Sequence, residues 1–217
     1  MTKSEITAHL LDAGLVAIIR ADSSEQLLDA ARALVDGGIT AMEVTMTTPN
    51  ALQVIADVRA AFGDALLLGV GTVLDAATCH AAIKAGAQFI VTPVTKVEVI
   101  HAAHEDDRPI ASGAFTPSEA YAAHEAGADF IKIFPAEIGG PAYIRSLLAP
   151  LPMLRIIPTG GVTPETAGDF LRAGSVALGA GSALVSKEIL QSRDWPKLTA
   201  RAAEFVRAIR EYRAASG

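Results

Sequence analysis

The chain has 217 residues, of which 51% are hydrophobic, and carries a formal net charge of -6 at pH 7. Its basic side chains are scattered, so the sequence shows no electrostatic footprint for nucleic acid or for an anionic membrane surface. No apolar stretch approaches the roughly 18 residues of a membrane span, and residues 1–5 contain no apolar signal core, so we expect a cytoplasmic protein.

Short apolar runs alternate with alanine-rich amphipathic segments along the whole chain. This pattern is typical of parallel strands that are each followed by a helix. Residues 5–13 predict an extra helix before the first strand, and residues 195–213 predict the final helix. The predicted strands cover residues 16–20, 41–46, 66–73, 88–93, 109–115, 129–135, 155–162 and 175–184.

Capping signals open the segments between these strands. They are found at Ser23–Ser24, Thr48–Pro49, Asp75, Thr95, Thr116–Pro117, Gly140–Pro141 and Thr163–Pro164. Glycines at positions 38, 86, 127 and 174 stand where a helix ends and an apolar run begins. Cys79, the only cysteine, excludes an intrachain disulfide and is expected to be a small helix residue. The sequence therefore predicts an α/β fold: one (βα)₈ TIM-barrel domain over residues 1–217 with an extra N-terminal helix.

Lys132 places an amine in the middle of an apolar strand, between Ile131 and Ile133. Removing a charged amine from water costs several kcal/mol, so a lysine there either finds a partner or becomes neutral. A neutral lysine is a nucleophile that forms imines with carbonyl compounds. A strand-end lysine that reaches water is the structural alternative.

Other polar residues occur late in the predicted strands, where the catalytic face of such a barrel lies. Strand one ends in Arg20, strand two contains Glu43, and the third and fourth strands end near Thr72 and Pro93. A carboxylate and an amine in one apolar barrel can exchange protons with a substrate. The alternative is a structural ion pair between Glu43 and Arg20 or Lys132.

The last two strands end in glycine-rich segments that contain Gly160, Gly161, Gly181 and Ser182. Such turns expose backbone N–H groups, and the loops after strands seven and eight are the usual phosphate site of this fold. The sequence therefore predicts a phosphate site that needs no lysine or arginine.

These residues resemble the bacterial family of 2-keto-3-deoxy-6-phosphogluconate (KDPG) and 4-hydroxy-2-oxoglutarate (KHG) aldolases, which includes the 6-phosphogalactonate enzymes. The resemblance spans nearly the whole chain and rests on residues 16–20 (VAIIR), 43–45 (EVT), 69–73 (GVGTV), 130–136 (FIKIFPA) and 158–162 (PTGGV). It implies a class I aldolase without a cofactor, in which Lys132 forms the Schiff base, Glu43 is the acid/base residue and Thr72 binds the pyruvate carboxylate. It also implies a homotrimer.

The sequence departs from the family pattern at two places. Several members carry arginine four residues after the catalytic glutamate, where this chain has Thr47, and Arg20 is expected to take over anion binding. Many members read Pro-Gly late in strand five, where this chain has Ser112–Gly113. Thr159 resembles the phosphogluconate branch, whereas residues 140–144 (GPAYI) resemble the phosphogalactonate branch.

The resemblance implies that KDPG is cleaved to pyruvate and D-glyceraldehyde 3-phosphate, with the 6-phosphogalactonate epimer as the alternative substrate. KHG, which would give pyruvate and glyoxylate, is a further candidate substrate. Phe134 and Pro93 are expected to line an apolar wall of the site. No nucleic-acid or membrane partner is expected.

Three other classes of barrel remain open on the sequence. The first is a metal-dependent pyruvate aldolase or decarboxylase, for which His101 and His104 beside residues 105–107 have a metal-like spacing. The second is a phosphosugar isomerase or a barrel like thiamine-phosphate synthase, in which Lys132 and Glu43 transfer protons without an imine. The third is a non-catalytic phosphate-binding barrel.

Overall fold

A computed structural model describes residues 1–20 and 23–216. Its strands are β1 Leu15–Ile19, β2 Ala41–Thr45, β3 Leu67–Gly71, β4 Phe89–Val91, β5 Ile110–Ala114, β6 Phe130–Ile133, β7 Ile156–Pro158 and β8 Leu178–Ala180. All pair in parallel, in the order β7-β6-β5-β4-β3-β2-β1-β8. A bridge between Thr159 and Gly179 joins the two ends of this order. The predicted (βα)₈ barrel is confirmed.

Helices surround the barrel. They are α1 Lys3–Ala13, α2 Ser24–Asp36, α3 Ala51–Phe62, α4 Ala76–Ala85, α5 Val97–Glu105, α6 Pro117–Glu125, α7 Gly140–Leu148, α8 Pro164–Arg172, α9 Lys187–Ser192 and α10 Trp195–Ser216. Short 3₁₀ turns cover Gly63–Ala65 and Ala136–Ile138. The predicted N-terminal and final helices are both present. The sequence did not predict α9, which lies between β8 and α10.

Most of the predicted helix starts agree with the structure. The side chains of Asp75, Thr116 and Thr163 each accept a hydrogen bond from a backbone N–H three residues later. The starts expected near Thr48 and Thr95 are wrong, because α3 begins at Ala51 and α5 at Val97. The Thr95 hydroxyl instead donates to the carbonyl of Gly113, at 2.9 Å, and so ties the loop after β4 to β5.

Several strands are shorter than predicted because their last residues turn into the loops at the catalytic end. The clearest case is the eighth strand, which was expected over residues 175–184. After Ala180 the chain turns, and the N–H groups of Leu184 and Val185 donate to the carbonyl of Gly181 at 2.9 and 2.8 Å. Gly181 and Ser182 consequently lie in a loop.

One side of each strand faces the barrel interior, where a cluster of buried side chains forms a core of its own. Ile6 and Leu10 of α1 belong to this cluster, so the extra helix covers the N-terminal end of the barrel. A capping box between Thr2 and Glu5 starts that helix. A larger cluster fills the layer between the strands and the outer helices.

Cys79 is fully buried in α4, as expected for a structural helix residue. Burial, with smaller contributions from the carboxylates of Asp106 and Asp75, raises the pKa of its thiol to about 12. The thiol is therefore protonated and unreactive at neutral pH. Among the described residues, no helix is both long enough and apolar enough to cross a membrane.

Candidate active site

Lys132 lies in β6 and faces the barrel interior. It is in register with Gly113 of β5 and Ile157 of β7, and Phe130, two residues earlier, belongs to the interior core. Only 8% of the residue is exposed. Its side chain lines a cavity of about 690 Å³ near the C-terminal ends of the strands, which is the catalytic face of this fold. The predicted nucleophile therefore lies in a cavity large enough for a sugar-acid substrate.

Glu43 of β2 lies across the barrel interior from this amine. Its Oε2 atom is 4.0 Å from Nζ of Lys132, and only 2% of the residue is exposed. The other carboxylate oxygen, Oε1, is buried without a hydrogen-bond partner in the described part of the chain. The ion pair considered as an alternative is thus present at the limit of contact distance. Glu43 is a base within reach of a proton carried by Lys132 or by a substrate in the cavity.

The Phe134 ring also lies near this amine, with its centroid 5.8 Å from Nζ of Lys132. Phe134 is 41% exposed and lines the cavity, as does Pro93 in the loop after β4. These two residues lie where an apolar wall was predicted.

Thr72 and Arg20 also line the cavity. Thr72 directly follows β3 and has φ of +62°. Such a backbone conformation is rare for a β-branched residue and costs on the order of 1–3 kcal/mol. Strain of this kind is concentrated at functional sites. Arg20 follows β1 and lies at the exposed rim.

The two glycine-rich loops lie side by side because β7 and β8 are joined at the barrel seam. Gly160 and Gly161 have φ of +95° and +68°, and both line the cavity with Gly181 and Ser182. Thr159, just before the first pair, is 7% exposed and faces the same cavity. The structure therefore brings every predicted site residue to one cavity.

Sequence reasoning missed three polar residues that line this cavity: Glu137, Lys187 and Gln191. Glu137 lies in the 3₁₀ turn after β6, and a methyl group on Gly161 would be only 2.5 Å from its Cβ. Its position directly after the 130–136 motif was an available signal. Lys187 and Gln191 belong to α9, and without that helix nothing in the sequence placed them at the site. A carboxylate and an amine therefore line the same cavity as the two glycine-rich loops.

Two residues at which the sequence departs from the family pattern occupy informative places. The hydroxyl of Thr47 lies 2.9 Å from that of Thr45, and Thr47 does not line the cavity. Ser112 is in register with Ile131, which belongs to the outer core, so its side chain faces the helices and not the substrate cavity. The next residue, Gly113, is in register with Lys132 and faces the barrel interior.

The histidines of the metal-like spacing have other surroundings. His104 Nε2 lies 3.0 Å from Oδ2 of Asp129, and His101 is exposed. Within the described ranges, no group of three or more His, Cys, Asp or Glu residues is arranged to hold a metal ion.

The sequence profile of the KDPG and KHG aldolases matches residues 6–201. The chain belongs to this aldolase family. It is 37% identical to the 2-dehydro-3-deoxy-6-phosphogalactonate aldolase of Escherichia coli over 91% of this chain and 95% of that protein. It is 34% identical to the 2-dehydro-3-deoxy-phosphogluconate aldolase of Pseudomonas aeruginosa, over 93% of this chain and 92% of the relative.

A solved relative supplies chemical information. KDPG aldolase from Legionella pneumophila, with pyruvate captured at low pH as a covalent carbinolamine intermediate, superimposes with a TM-score of 0.85. The match has 28% identity and covers 91% of this chain and 96% of that one. This chain is therefore a carbon–carbon lyase, and its family is that of class I aldolases.

Proposed function

We propose that this aldolase cleaves KDPG to pyruvate and D-glyceraldehyde 3-phosphate through a Schiff base on Lys132. The observation that carries the proposal is the buried amine of Lys132, 4.0 Å from the Glu43 carboxylate, in a cavity that is also lined by the two glycine-rich loops. The amine can form an imine with the ketone of a substrate, and a carboxylate held this close can move protons during carbon–carbon cleavage.

The reaction begins when the neutral amine of Lys132 attacks the C2 ketone. Protonation of the resulting hydroxyl and loss of water give an iminium ion. Glu43 then takes the proton of the C4 hydroxyl, the C3–C4 bond breaks, and its electron pair moves into the iminium as an enamine. Glyceraldehyde 3-phosphate leaves. Protonation of the enamine at C3 and hydrolysis of the imine release pyruvate and restore the amine. Proton transfer of this kind contributes roughly 10²–10⁴ in rate.

We assign the substrate-binding roles from the charge and the position of each residue that lines the cavity. Arg20 and Thr72 hold the substrate carboxylate, and Pro93 and Phe134 contact its apolar face. The phosphate binds at Gly160, Gly161, Gly181 and Ser182. Support for this last assignment comes from the contiguity of the two loops at the barrel seam and from the positive φ of Gly160 and Gly161, a backbone conformation that can present N–H groups to an anion.

Thr159 favours KDPG over its galactonate epimer as the substrate. Thr159 lines the cavity at 7% exposure and pairs with Gly179, which has no side chain, so its hydroxyl has room to bond a substrate hydroxyl. A second candidate, 2-keto-3-deoxy-6-phosphogalactonate, is favoured by the 37% identity to the galactonate aldolase of E. coli. KHG, which lacks the phosphate, is a third substrate to be compared.

The functional unit is proposed to be a homotrimer, on the basis of the family resemblance. Exposed apolar side chains in the loops after β3 and β4 and at the start of α5, Leu74, Val94 and Val97, provide surface that an oligomer would cover. Light scattering of the purified protein at micromolar concentration would give three times the monomer mass. A monomer mass would contradict this proposal.

The proposed reaction is tested by incubating the protein with KDPG, its galactonate epimer and KHG, and measuring pyruvate and the aldehyde product. We expect release of pyruvate and glyceraldehyde 3-phosphate in equal amounts, with the largest kcat/KM for KDPG. The rate should be unchanged by EDTA. Loss of activity on chelation, restored by a divalent ion, would support metal-dependent chemistry, and isomerisation without pyruvate release would support a phosphosugar isomerase.

A further inference from the structure

Strand β3 has a bare inward face next to the proposed acid/base residue. The strand places Leu67, Gly69 and Gly71 toward the barrel interior, because Leu67 belongs to the interior core and side chains alternate along a strand. Two consecutive inward positions therefore carry no side chain. The neighbouring strands fill this space with large side chains, Glu43 from β2 and Phe89 from β4.

Gly71 is required by space and not by backbone conformation. Its φ is not positive, so the strand geometry at this residue is open to any amino acid. A methyl group here would lie 2.7 Å from Cγ of Glu43 and closer still to Cδ and Oε1. Contacts this short do not occur between carbon atoms in folded proteins, so the carboxylate and a side chain at position 71 exclude each other.

Little besides this space holds the carboxylate in place. Glu43 is 2% exposed, so its side chain lies inside the barrel, away from bulk solvent. Oε1 has no hydrogen-bond partner among the described residues, and Oε2 lies 4.0 Å from Nζ of Lys132, beyond normal hydrogen-bond length. Packing against the surface of β3 is thus what sets the distance between the carboxylate and the amine.

We propose that Gly71 is a positioning residue for the aldol reaction: the space left by its missing side chain holds the Glu43 carboxylate next to Lys132. This inference rests on the proposed role of Glu43. A side chain at position 71 displaces the carboxylate, because its Cβ would overlap Oε1 of Glu43. A displacement of about 1 Å in a catalytic group can reduce a rate by roughly 10². Substrate binding through Arg20 and the glycine-rich loops is affected much less.

The test is a double-mutant cycle of Gly71→Ala and Glu43→Gln, measured as kcat and KM for the cleaved substrate. We expect Glu43→Gln to lower kcat by about 10² or more, since the amide keeps the shape but cannot carry a proton. Gly71→Ala should lower kcat by roughly 10-fold to 10²-fold with KM within about threefold of wild type. In the double variant, kcat should lie within about threefold of Glu43→Gln alone, because both changes disable the same group.

The outcomes distinguish the acid/base role of Glu43 from the positioning role of Gly71. A normal kcat for Glu43→Gln would overturn the role of Glu43 and, with it, this inference. A slow Glu43→Gln together with a normal Gly71→Ala would overturn the inference alone. Multiplicative losses in the double variant would also overturn it, because Gly71 would then act through a group other than Glu43.

Folding is controlled by two further variants. If Gly71→Ala does not fold, combination with Glu43→Ala should restore folding, because the new methyl group fits the space vacated by the carboxylate. Failure of that double variant to fold would show that the clash is not with Glu43. Gly69→Ala is the matched control on the same strand, since its methyl group would lie 2.6 Å from Cδ2 of Phe89. It should lower Tm without the selective loss of kcat.

Discussion

Replacing Thr159 with valine removes one hydroxyl from the cavity and changes little else. Thr159 lies immediately after β7, bridges to Gly179 and is 7% exposed. A methyl group on Gly179 would lie 3.3 Å from Cβ of Thr159 and overlap its Oγ1, so the missing side chain of Gly179 leaves room for this hydroxyl. Because valine keeps the size of the side chain and the lost hydroxyl belongs to a residue that lines the cavity, the free energy of unfolding should change by no more than about 0.5 kcal/mol.

The effect on substrate choice should be much larger. A substrate hydroxyl that loses its partner in a buried site costs about 1–3 kcal/mol, and about 1.4 kcal/mol corresponds to tenfold in kcat/KM. Thr159→Val should therefore lower the ratio of kcat/KM for KDPG over its galactonate epimer by roughly tenfold. The assay couples pyruvate release to lactate dehydrogenase for each epimer, and Thr159→Ser, which keeps the hydroxyl, is the control. A ratio within about twofold of wild type, or one that moves toward gluconate, would refute the stereochemical role of Thr159.

Three further predictions concern other residues. Ser182→Asp should raise KM steeply for phosphorylated substrates and much less for KHG, because like charges at close range cost about 1 kcal/mol in water and several in a cavity; equal losses for both substrates would exclude phosphate from these loops. Thr72→Gly should leave Tm unchanged or higher, since glycine relieves the strain at φ of +62°. The KM for KDPG should rise, because the hydroxyl proposed to bind the substrate carboxylate is lost. A Tm lower by several degrees would contradict the strain at this residue. Cys79 should stay unlabelled by Ellman's reagent at pH 8 in the folded protein and react fully in urea. Burial raises the pKa of this thiol to about 12. The stability that the protonated thiol contributes is therefore complete below the ordinary thiol pKa and is lost as the pH rises toward about 12. Rapid labelling of the native protein at pH 8 would contradict this prediction.

The strand count and the inward position of Lys132 followed from local pattern alone. Alternating apolar runs fix which strand residues face the core, and a charged residue within such a run is visible without a structure. The motif order then placed Glu43, Thr72 and the glycine-rich loops at one end of the barrel. These features depend on residues close together in sequence or on the regular geometry of the fold.

Contacts between distant segments could not be predicted in this way. Glu137 meets Gly161 only because the 3₁₀ turn after β6 packs on the loop after β7. The space at Gly71 is meaningful only with Glu43 of the neighbouring strand in place. The side of β5 on which Ser112 lies depends on the register with β6, and a shift of one residue would have turned it inward.

The central claim, an imine on Lys132, is tested most directly by borohydride reduction in the presence of pyruvate, followed by intact mass and peptide mapping. We expect one reduced pyruvyl group per chain, located on Lys132. Lys187 is the internal control, because it lines the same cavity yet lies at the start of α9, where water can reach it. The adduct should be absent from Lys132→Ala, which should fold normally. No adduct, or an adduct on Lys187, would contradict the Schiff-base mechanism.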